Sequence, residues 1–451
     1  MRFPVGAVEC NEAAILCSFQ RMRFAQAGLQ FCALTRFPFA DYNSDSFVIH
    51  GEHQMPESKT GLPASVALTL ATCCGFSVAT IYYNQTMLPL IGATFSISGA
   101  HVGQIAMLTQ LGYALGLLLF VPLGDRITRR SLILGMLSLN FLSLIASAIA
   151  PTYSMLLLAS VVLGLSAVSA QIIIPAATAL AHPDQRGSVL GMMVSGLSAG
   201  GLLARALSGA VSTWIGWRGM FFAAAAMNVL LFVAILMRMP ATAPSSTLPY
   251  LDLMKSMWKL VREHPTLRRS SLTGGLIFGA LNVFWGSMAS LLALEPYQYS
   301  SGQAGLFGLS AIVGIFAASY LGRLTQHYGI KLSYLGTGTV LLAFIALYLG
   351  GAAGFWWLIL ICATALDIGN RANQLANQAR ILALAPEAVS RLNTVFMVTY
   401  FTGGALGSAL GASAAGFYGW QGLAVVGAVF AVCGLMAIIY SRQAEKTRAI
   451  S

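Results

Sequence analysis

Residues 200–219 read GGLLARALSGAVSTWIGWRG, and residues 403–422 read GGALGSALGASAAGFYGWQG. Both stretches begin with two glycines, end in Gly-Trp-x-Gly and share leucine and alanine positions in between. Because these features seldom recur together at one offset by chance, the chain contains an internal repeat. The register continues into the preceding stretch, where Gln171 falls on Gln374. The sequence therefore predicts two related halves.

The composition places both halves in a lipid bilayer. Hydrophobic residues make up 57% of the 451 residues, charged residues make up 9%, and the mean hydropathy is +0.75. This leaves too little polar surface to cover a soluble globule. A helix needs roughly 20 mostly apolar residues to cross a bilayer, and the sequence contains twelve such stretches. The predicted crossings are Ala64–Leu88, His101–Leu123, Ser131–Ala150, Ser154–Ala179, Ser188–Ser212, Gly219–Met237, Ser271–Leu294, Gly302–Gln326, Leu332–Gly350, Phe355–Leu382, Leu392–Gly416 and Gly422–Tyr440.

The repeat and the crossings together give an all-α membrane protein of two pseudo-symmetric six-helix halves. The halves are joined by a linker that contains the amphipathic stretch Tyr250–Glu263. The N-terminal extension lacks a continuous apolar pattern, so we expect it to be disordered or to result from a start site placed upstream of Met55. The predicted parts are the extension (1–60), the first half (64–237), the cytoplasmic linker (238–270), the second half (271–440) and a cytoplasmic tail (441–451).

The formal net charge of +11 raises the question of nucleic-acid binding, and the placement of the basic residues answers it. Arg126, Arg129, Arg130 and Arg238 lie in loops on one predicted side, whereas the opposite loops offer Arg218. By the positive-inside rule the basic loops and both termini are cytoplasmic. The expected location is the inner membrane, with the lipid bilayer and a small-molecule substrate as partners, no nucleic acid, and a monomeric state.

The loop after the second predicted crossing carries a family motif. It reads Leu123-Gly124-Asp125-Arg126-Ile127-Thr128-Arg129-Arg130, which resembles the signature G-x-L-x-D-R-x-G-R-R/K of the major facilitator superfamily. Other stretches resemble a bacterial exporter-like branch of that superfamily. The resemblance implies twelve helices and transport by alternating access. It also implies a conformational latch at Asp125, Arg126, Arg129 and Arg130, although the same charges are consistent with simple topological anchoring.

A second motif lies in the fifth predicted crossing. Gly196-Leu197-Ser198-Ala199-Gly200-Gly201 is similar to the antiporter motif of exporters in this superfamily, with Leu197 in place of the proline. Small residues at this spacing also let helices approach closely, and close helix packing is the interpretation that the spacing favours. The predicted packing glycines are Gly196, Gly200, Gly201, Gly403, Gly404 and Gly407.

Three charged residues, Arg205, Asp367 and Arg371, lie inside predicted crossings and away from the helix ends, where charge is costly and therefore points to function. Asp367 is the candidate proton carrier, because it is the one acid deep within any predicted crossing. Arg371 follows one helical turn later and favours the carboxylate, while burial favours the neutral acid. Arg205 stays charged and can bind an anionic group or offset Asp367. A static ion pair among the three is the alternative.

Five further residues are candidates for substrate contacts in a cavity: Asn84, Gln85, Gln110, Asn282 and Trp285. Helix-to-helix hydrogen bonds are the alternative role for each. The sequence has no G-x-x-x-x-G-K-[S/T] loop and no clustered cysteine or histidine ligands, so we expect no nucleotide hydrolysis, metal site, cofactor or enzymatic activity.

These observations together predict a secondary active transporter that exports a small organic molecule in exchange for protons. Uptake or facilitated diffusion of a small anionic metabolite is the alternative, because two arginines against one aspartate suit an anion. A membrane sensor without transport is a more distant alternative.

Overall fold

A computed structural model describes residues 62–97, 99–241, 249–385 and 388–450, and within these ranges every regular element is helical. The predicted extension, residues 1–60, lies outside the described residues. The first half comprises α1 (Ala64–Ala79), α2 (Tyr83–Phe95), α3 (Gly99–Leu123), α4 (Arg129–Ile149), α5 (Tyr153–Ser166), α6 (Ser169–Leu180) and α7 (Arg186–Arg238). The linker helix is α8 (Tyr250–Glu263). The second half comprises α9 (Pro265–Trp285), α10 (Met288–Leu292), α11 (Ser301–Leu306), α12 (Ala311–Tyr328), α13 (Ile330–Gly350), α14 (Trp356–Leu382) and α15 (Val389–Ile450).

Within the described ranges, eight helical segments are long and apolar enough to cross a bilayer. The longest helices, α7 and α15, each contain a glycine with non-helical dihedral angles: φ is 74° at Gly216 and 57° at Gly419. Positive φ costs glycine little because it has no Cβ. Both glycines open the Gly-Trp-x-Gly motif, so the motif marks the point where each long helix divides. The total of twelve crossings with both termini on one side stays a prediction.

Helices α12 and α14 occupy predicted crossings but are not among the eight apolar segments. Helix α14 is excluded from the apolar segments because its polar residues, including Asp367, Arg371 and Asn373, lower its mean hydropathy. A helix of this composition is stable in a membrane when its polar side faces other helices or a cavity. The polar side of α14 is therefore expected to face other helices or a cavity, where its residues could have a function.

Four of the predicted crossings contain a short break in the helix. The interruptions lie at residues 80–82, at 167–168, at 286–287 and at the 3₁₀ turn Phe307–Ser310. At the first of them, the Thr80 hydroxyl donates to the carbonyl of Ser77 at 2.7 Å. Such side-chain bonds compete with helical backbone bonds. Two of the interruptions place Tyr82 and Ser310 beside the candidate site described below.

The helices within each half are held together by the same glycine contact. A Cβ on Gly200 would lie 2.0 Å from the carbonyl oxygen of Gly75, so α7 and α1 touch backbone to backbone. In the second half, a Cβ on Gly403 would lie 2.0 Å from the carbonyl oxygen of Gly275, which joins α15 to α9. Gly196 and Gly407 extend these contacts by one turn. Gly196, Gly200, Gly403 and Gly407 thus lie at close helix contacts, whereas Gly201 lines the cavity described below and Gly404 faces the side chains of Gln110 and Phe278.

Two contacts related by the repeat also join one half to the other. On α7, a Cβ at Gly209 would lie 2.5 Å from the carbonyl oxygen of Ser301. On α3, a Cβ at Gly103 would lie 2.0 Å from the Cβ of Ala412, which the repeat relates to Gly209. We call the end of the bundle with Gly216 and Gly419 the opposite end, and the end with the loop 124–128 the basic end. Both contacts lie towards the opposite end.

The linker helix α8 packs against the bundle through Leu253, Met257 and Leu260, which are buried. The hydroxyl of Tyr250 donates to the carbonyl oxygen of Leu119 on α3 at 3.0 Å. Two boundaries differ from the predicted ones. Helix α9 begins at Pro265, before residue 271, because proline is favoured at the first helical position. Helix α15 continues through the predicted tail as far as Ile450.

We expect Gly200→Ala to destabilise the protein by roughly 1–3 kcal/mol, because the added methyl group overlaps the backbone of Gly75. Gly191→Ala is the matched control on the same helix, since a Cβ there meets open space. The control should be neutral or slightly stabilised by alanine's helix propensity. Thermal unfolding in detergent measures both variants. Equal unfolding midpoints for the two variants would contradict the proposed packing role.

Candidate functional site

A cavity of about 110 Å³ lies between the two halves. It is bounded by α1 and its C-terminal break, α3, α6 and α7 from the first half and by α9, α12, α14 and α15 from the second. We call it the central cavity. Its polar lining residues are Tyr82, Tyr113, Gln171, Ser198, Arg205, Asp367, Asn370, Arg371, Gln374 and Tyr400. The three predicted ionisable residues therefore meet in one space.

Arg205 lines the central cavity and is only 7% exposed. Its Nε donates a hydrogen bond to the side-chain oxygen of Gln85 at 2.8 Å. Its guanidinium lies over the ring of Tyr82, 4.7 Å from the centroid, and over the ring of Trp285, at 4.2 Å. Contacts of this kind stabilise a desolvated cation by about 2 kcal/mol or more.

Asp367 enters the same cavity from the second half and is 8% exposed. The hydroxyl of Ser310 donates to its Oδ2 at 3.4 Å. The carboxylate also interacts electrostatically with Arg205 and Arg371. Among the described residues, however, no ion pair within 4.0 Å joins Asp367 to either arginine. The static ion pair that the sequence left open as an alternative is therefore not formed between Arg205 and Asp367. Gln85 and the two rings hold the Arg205 guanidinium instead.

The remaining polar lining of α14 forms a continuous stripe. Arg371 Nη1 donates to the side-chain oxygen of Gln374 at 3.2 Å, and Asn370 donates to the hydroxyl of Tyr400 at 2.9 Å. Residues 367, 370, 371 and 374 follow helical spacing on one face. Sequence reasoning chose Asp367 and Arg371 but missed the intervening amides, and this spacing of polar residues within an apolar crossing was the signal that could have found them.

Next to the central cavity, four buried side chains form what we call the cross-half cluster: Gln85, Gln110, Asn282 and Ser408. The side-chain oxygen of Asn282 accepts hydrogen bonds from Gln110 Nε2 at 2.6 Å and from Gln85 Nε2 at 3.5 Å. Gln110 Nε2 also lies 3.2 Å from the hydroxyl oxygen of Ser408. All four residues are at most 1% exposed. The cluster therefore joins the first half to the second through amide hydrogen bonds.

The five predicted cavity residues thus have other positions. None of Asn84, Gln85, Gln110, Asn282 and Trp285 is among the residues that line the central cavity. Asn84 donates to Thr109 at 2.9 Å within the first half, and Trp285 covers Arg205. Hydrogen bonds between helices, which were the alternative role, are formed by Asn84, Gln85, Gln110 and Asn282. Together with the contact between Gly103 and Ala412, the cluster joins the two halves on the side of the cavity towards the opposite end.

The charged loop at the basic end has contacts within the first half. Arg129 Nη2 pairs with Asp125 Oδ1 at 3.4 Å, and Arg129 Nη1 donates to the carbonyl of Pro175 at 3.4 Å. Arg130 donates to the carbonyl of Leu236, whereas Arg126 is exposed. The loop therefore ties the ends of α3 and α4 to α6 and α7. The conformational latch at Asp125, Arg126, Arg129 and Arg130 stays a prediction.

The fold and site define a class: an all-helical, multi-pass membrane protein with a polar cavity between two related halves. The family model of the Major Facilitator Superfamily matches residues 68–338 and 271–450. The "Uncharacterized transporter YgaY" of Escherichia coli O157:H7 is 35% identical over 382 residues, which cover 83% of this chain and 94% of that protein. The chain belongs to the Major Facilitator Superfamily of transporters.

Two more distant similarities add detail. A "Probable sugar efflux transporter" of Pasteurella multocida is 25% identical over 387 residues, covering 81% of this chain and 90% of that protein. The inward-facing, occupied crystal structure of a bacterial homolog of the human lysosomal transporter Spinster superposes with a TM-score of 0.69. It is 16% identical and covers 85% of this chain and 97% of that one. This structural likeness shows that the fold is shared.

We expect Asp125→Asn to lower the transport rate several-fold without reducing the amount of inserted protein, because it removes the charge that pairs with Arg129. The measurement is initial flux per reconstituted molecule. Asp252→Asn is the matched control, since it breaks an exposed ion pair with Lys255 on the linker helix and such pairs contribute little. Equal flux in the two variants would reduce the loop to a topology signal.

Proposed function

We propose that this transporter exports a small organic molecule across the inner membrane by alternating access, in exchange for protons carried by Asp367. One observation carries the proposal. Arg205 of the first half and Asp367 of the second line a single cavity, and the cross-half cluster joins the two halves beside it. A cavity at the interface of two repeats is where secondary transporters bind their substrates.

Alternating access follows from how the halves meet. The contacts of Gly103 with Ala412 and of Gly209 with Ser301 lie towards the opposite end, as does the cross-half cluster. If the halves rock about the central cavity, these contacts separate and the cavity opens towards the opposite end. The polar bonds within the cluster are few and individually worth about 1 kcal/mol in a membrane. They can therefore stabilise the closed arrangement of the opposite end and still break when the halves rock.

Asp367 is suited to carry the proton because of its position between the halves. It is the one carboxylate among the described residues that line the central cavity, and it faces the fixed charge of Arg205 across the interface. Protonation removes the negative charge that attracts Arg205 and Arg371. The relative energies of the two rocking states then change, which is the requirement for coupling a proton to the conformational cycle.

The direction of transport is supported by sequence resemblance. The fifth crossing carries the partial antiporter motif, and one relative is named a probable sugar efflux transporter. The second candidate function is uptake or facilitated diffusion of a small anionic metabolite. It is favoured by the presence of two arginines and one aspartate in the cavity lining. Flux in proteoliposomes with and without a pH gradient distinguishes the two.

We expect Asp367→Asn to abolish accumulation of substrate against its concentration gradient while leaving exchange without a gradient intact. The amide keeps the size of the side chain but cannot release a proton. Proteoliposome assays with a substrate found by thermal-shift screening measure both activities. Asp184→Asn is the control, since Asp184 is 89% exposed in the 3₁₀ turn Pro183–Gln185. An Asp367→Asn protein that still concentrates substrate would show that Asp367 is not the proton carrier.

A further inference from the structure

Arg205 uses only part of its hydrogen-bonding capacity. Tyr82 and Trp285 cover its guanidinium, and Gln85 accepts from its Nε. Within the described parts of the chain, no carboxylate lies within 4.0 Å of its nitrogens, and its side-chain hydrogen bonds are limited to the one from Nε. The edge formed by Nη1 and Nη2 is therefore left for the central cavity, which Arg205 lines.

A guanidinium in this state is a strong anion site. Burying a charge without a hydrogen-bonded counterion is costly, and the cost falls when an anion supplies the missing acceptors. The two terminal nitrogens form a planar fork that matches the two oxygens of a carboxylate. Tyr82 and Trp285 fix the plane of the fork, and Gln85 fixes its rotation, so little side-chain freedom remains to be lost on binding.

We propose that the Nη edge of Arg205 binds a carboxylate of the transported molecule, which makes the substrate a small organic monoanion. This inference rests on the proposed transport function and names its substrate class. The charge of the cavity agrees with it. Arg205 and Arg371 contribute two positive charges and Asp367 one negative charge, so one further negative charge balances the site.

The remaining lining residues indicate which kind of molecule can carry this carboxylate. Tyr113 and Phe401 pack with ring centroids 4.4 Å apart, and Phe278 stacks on Tyr400 at 3.9 Å. All four rings line the central cavity. A flat aromatic or similarly compact body fits against such rings. Gln171 and Gln374, which the repeat relates to each other, add amide groups for polar substituents.

Gln85 acts here as a positioning residue. Its side-chain oxygen holds Nε of Arg205, and its nitrogen lies 3.5 Å from Asn282 in the cross-half cluster. The orientation of the anion site therefore depends on the closed arrangement of the two halves. Gln85→Leu should weaken anion binding while leaving the charge of Arg205 in place.

Binding of benzoate and of its neutral analogue benzamide to the purified full-length protein tests the proposal. Calorimetry in detergent, without any gradient, should show that benzoate binds at least about tenfold more tightly than benzamide. The reason is that benzamide cannot form the bidentate charged pair with Arg205. Arg205→Gln should remove this preference, and Arg205→Lys, which keeps the charge but not the fork, should reduce it. Arg218→Gln is the matched control, because Arg218 also stacks on a ring, that of Trp217, but lies away from the cavity.

The proposal is overturned if wild-type protein binds neither probe or binds both equally. It is also overturned if the folded Arg205→Lys and Gln85→Leu proteins keep the full preference, or if Arg371→Gln alone removes it. These outcomes are independent of proton coupling, since no gradient is present. An Asp367→Asn protein that loses coupling but keeps the benzoate preference would separate the two claims.

Discussion

The burial of the Arg205 guanidinium between two halves of a membrane protein is the constraint on which the site depends. An unpaired charge at this depth is expensive, so its neighbours must compensate. Tyr82 and Gln85 come from the first crossing, Trp285 from the seventh and Asp367 from the tenth. One charge thus connects the first crossing with the seventh and tenth, which belong to the other half and would move away from it in a rigid-body motion of the halves. A change in the charge of Asp367 therefore alters the interaction between the two halves.

The helices around Arg205 pack in nearly the same way in both halves, but Arg205 itself has no counterpart in the second half. Glycines bring α1 to α7 and α9 to α15 in the same way, and the contact at Gly209 has its counterpart at Ala412. The repeat places Ser408 where Arg205 would have its equivalent, and Gln110 bonds to that serine. Duplication therefore supplies two matched surfaces that can rock, while divergence at a few positions supplies the chemistry. This division explains why the packing residues repeat and the ionisable residues do not.

Much of the fold could be predicted from sequence because it follows from hydropathy and glycine. The Gly-Trp-x-Gly repeats mark Gly216 and Gly419, and the amphipathic pattern of Tyr250–Glu263 matches a packed helix. The interruption at residues 80–82 could not be predicted, since it contains neither glycine nor proline and depends on a local hydroxyl bond. The cost of burying charge singled out Arg205 and Asp367, which line the central cavity, but it could not distinguish cavity-lining residues from amides that hydrogen-bond between helices. That distinction requires helix rotation, which hydropathy does not determine.

The central claim is that the cross-half cluster holds the opposite end closed while the cavity between the halves binds substrate. Spin labels on Trp214→Cys and Phe417→Cys, exposed positions at that end of the two halves, measure it directly by double electron–electron resonance in a background without native cysteines. With the native cluster, we predict a dominant short distance and a minor longer one. In Asn282→Leu, which removes the acceptor shared by Gln85 and Gln110, the longer population should grow. Unchanged distance distributions would contradict the account.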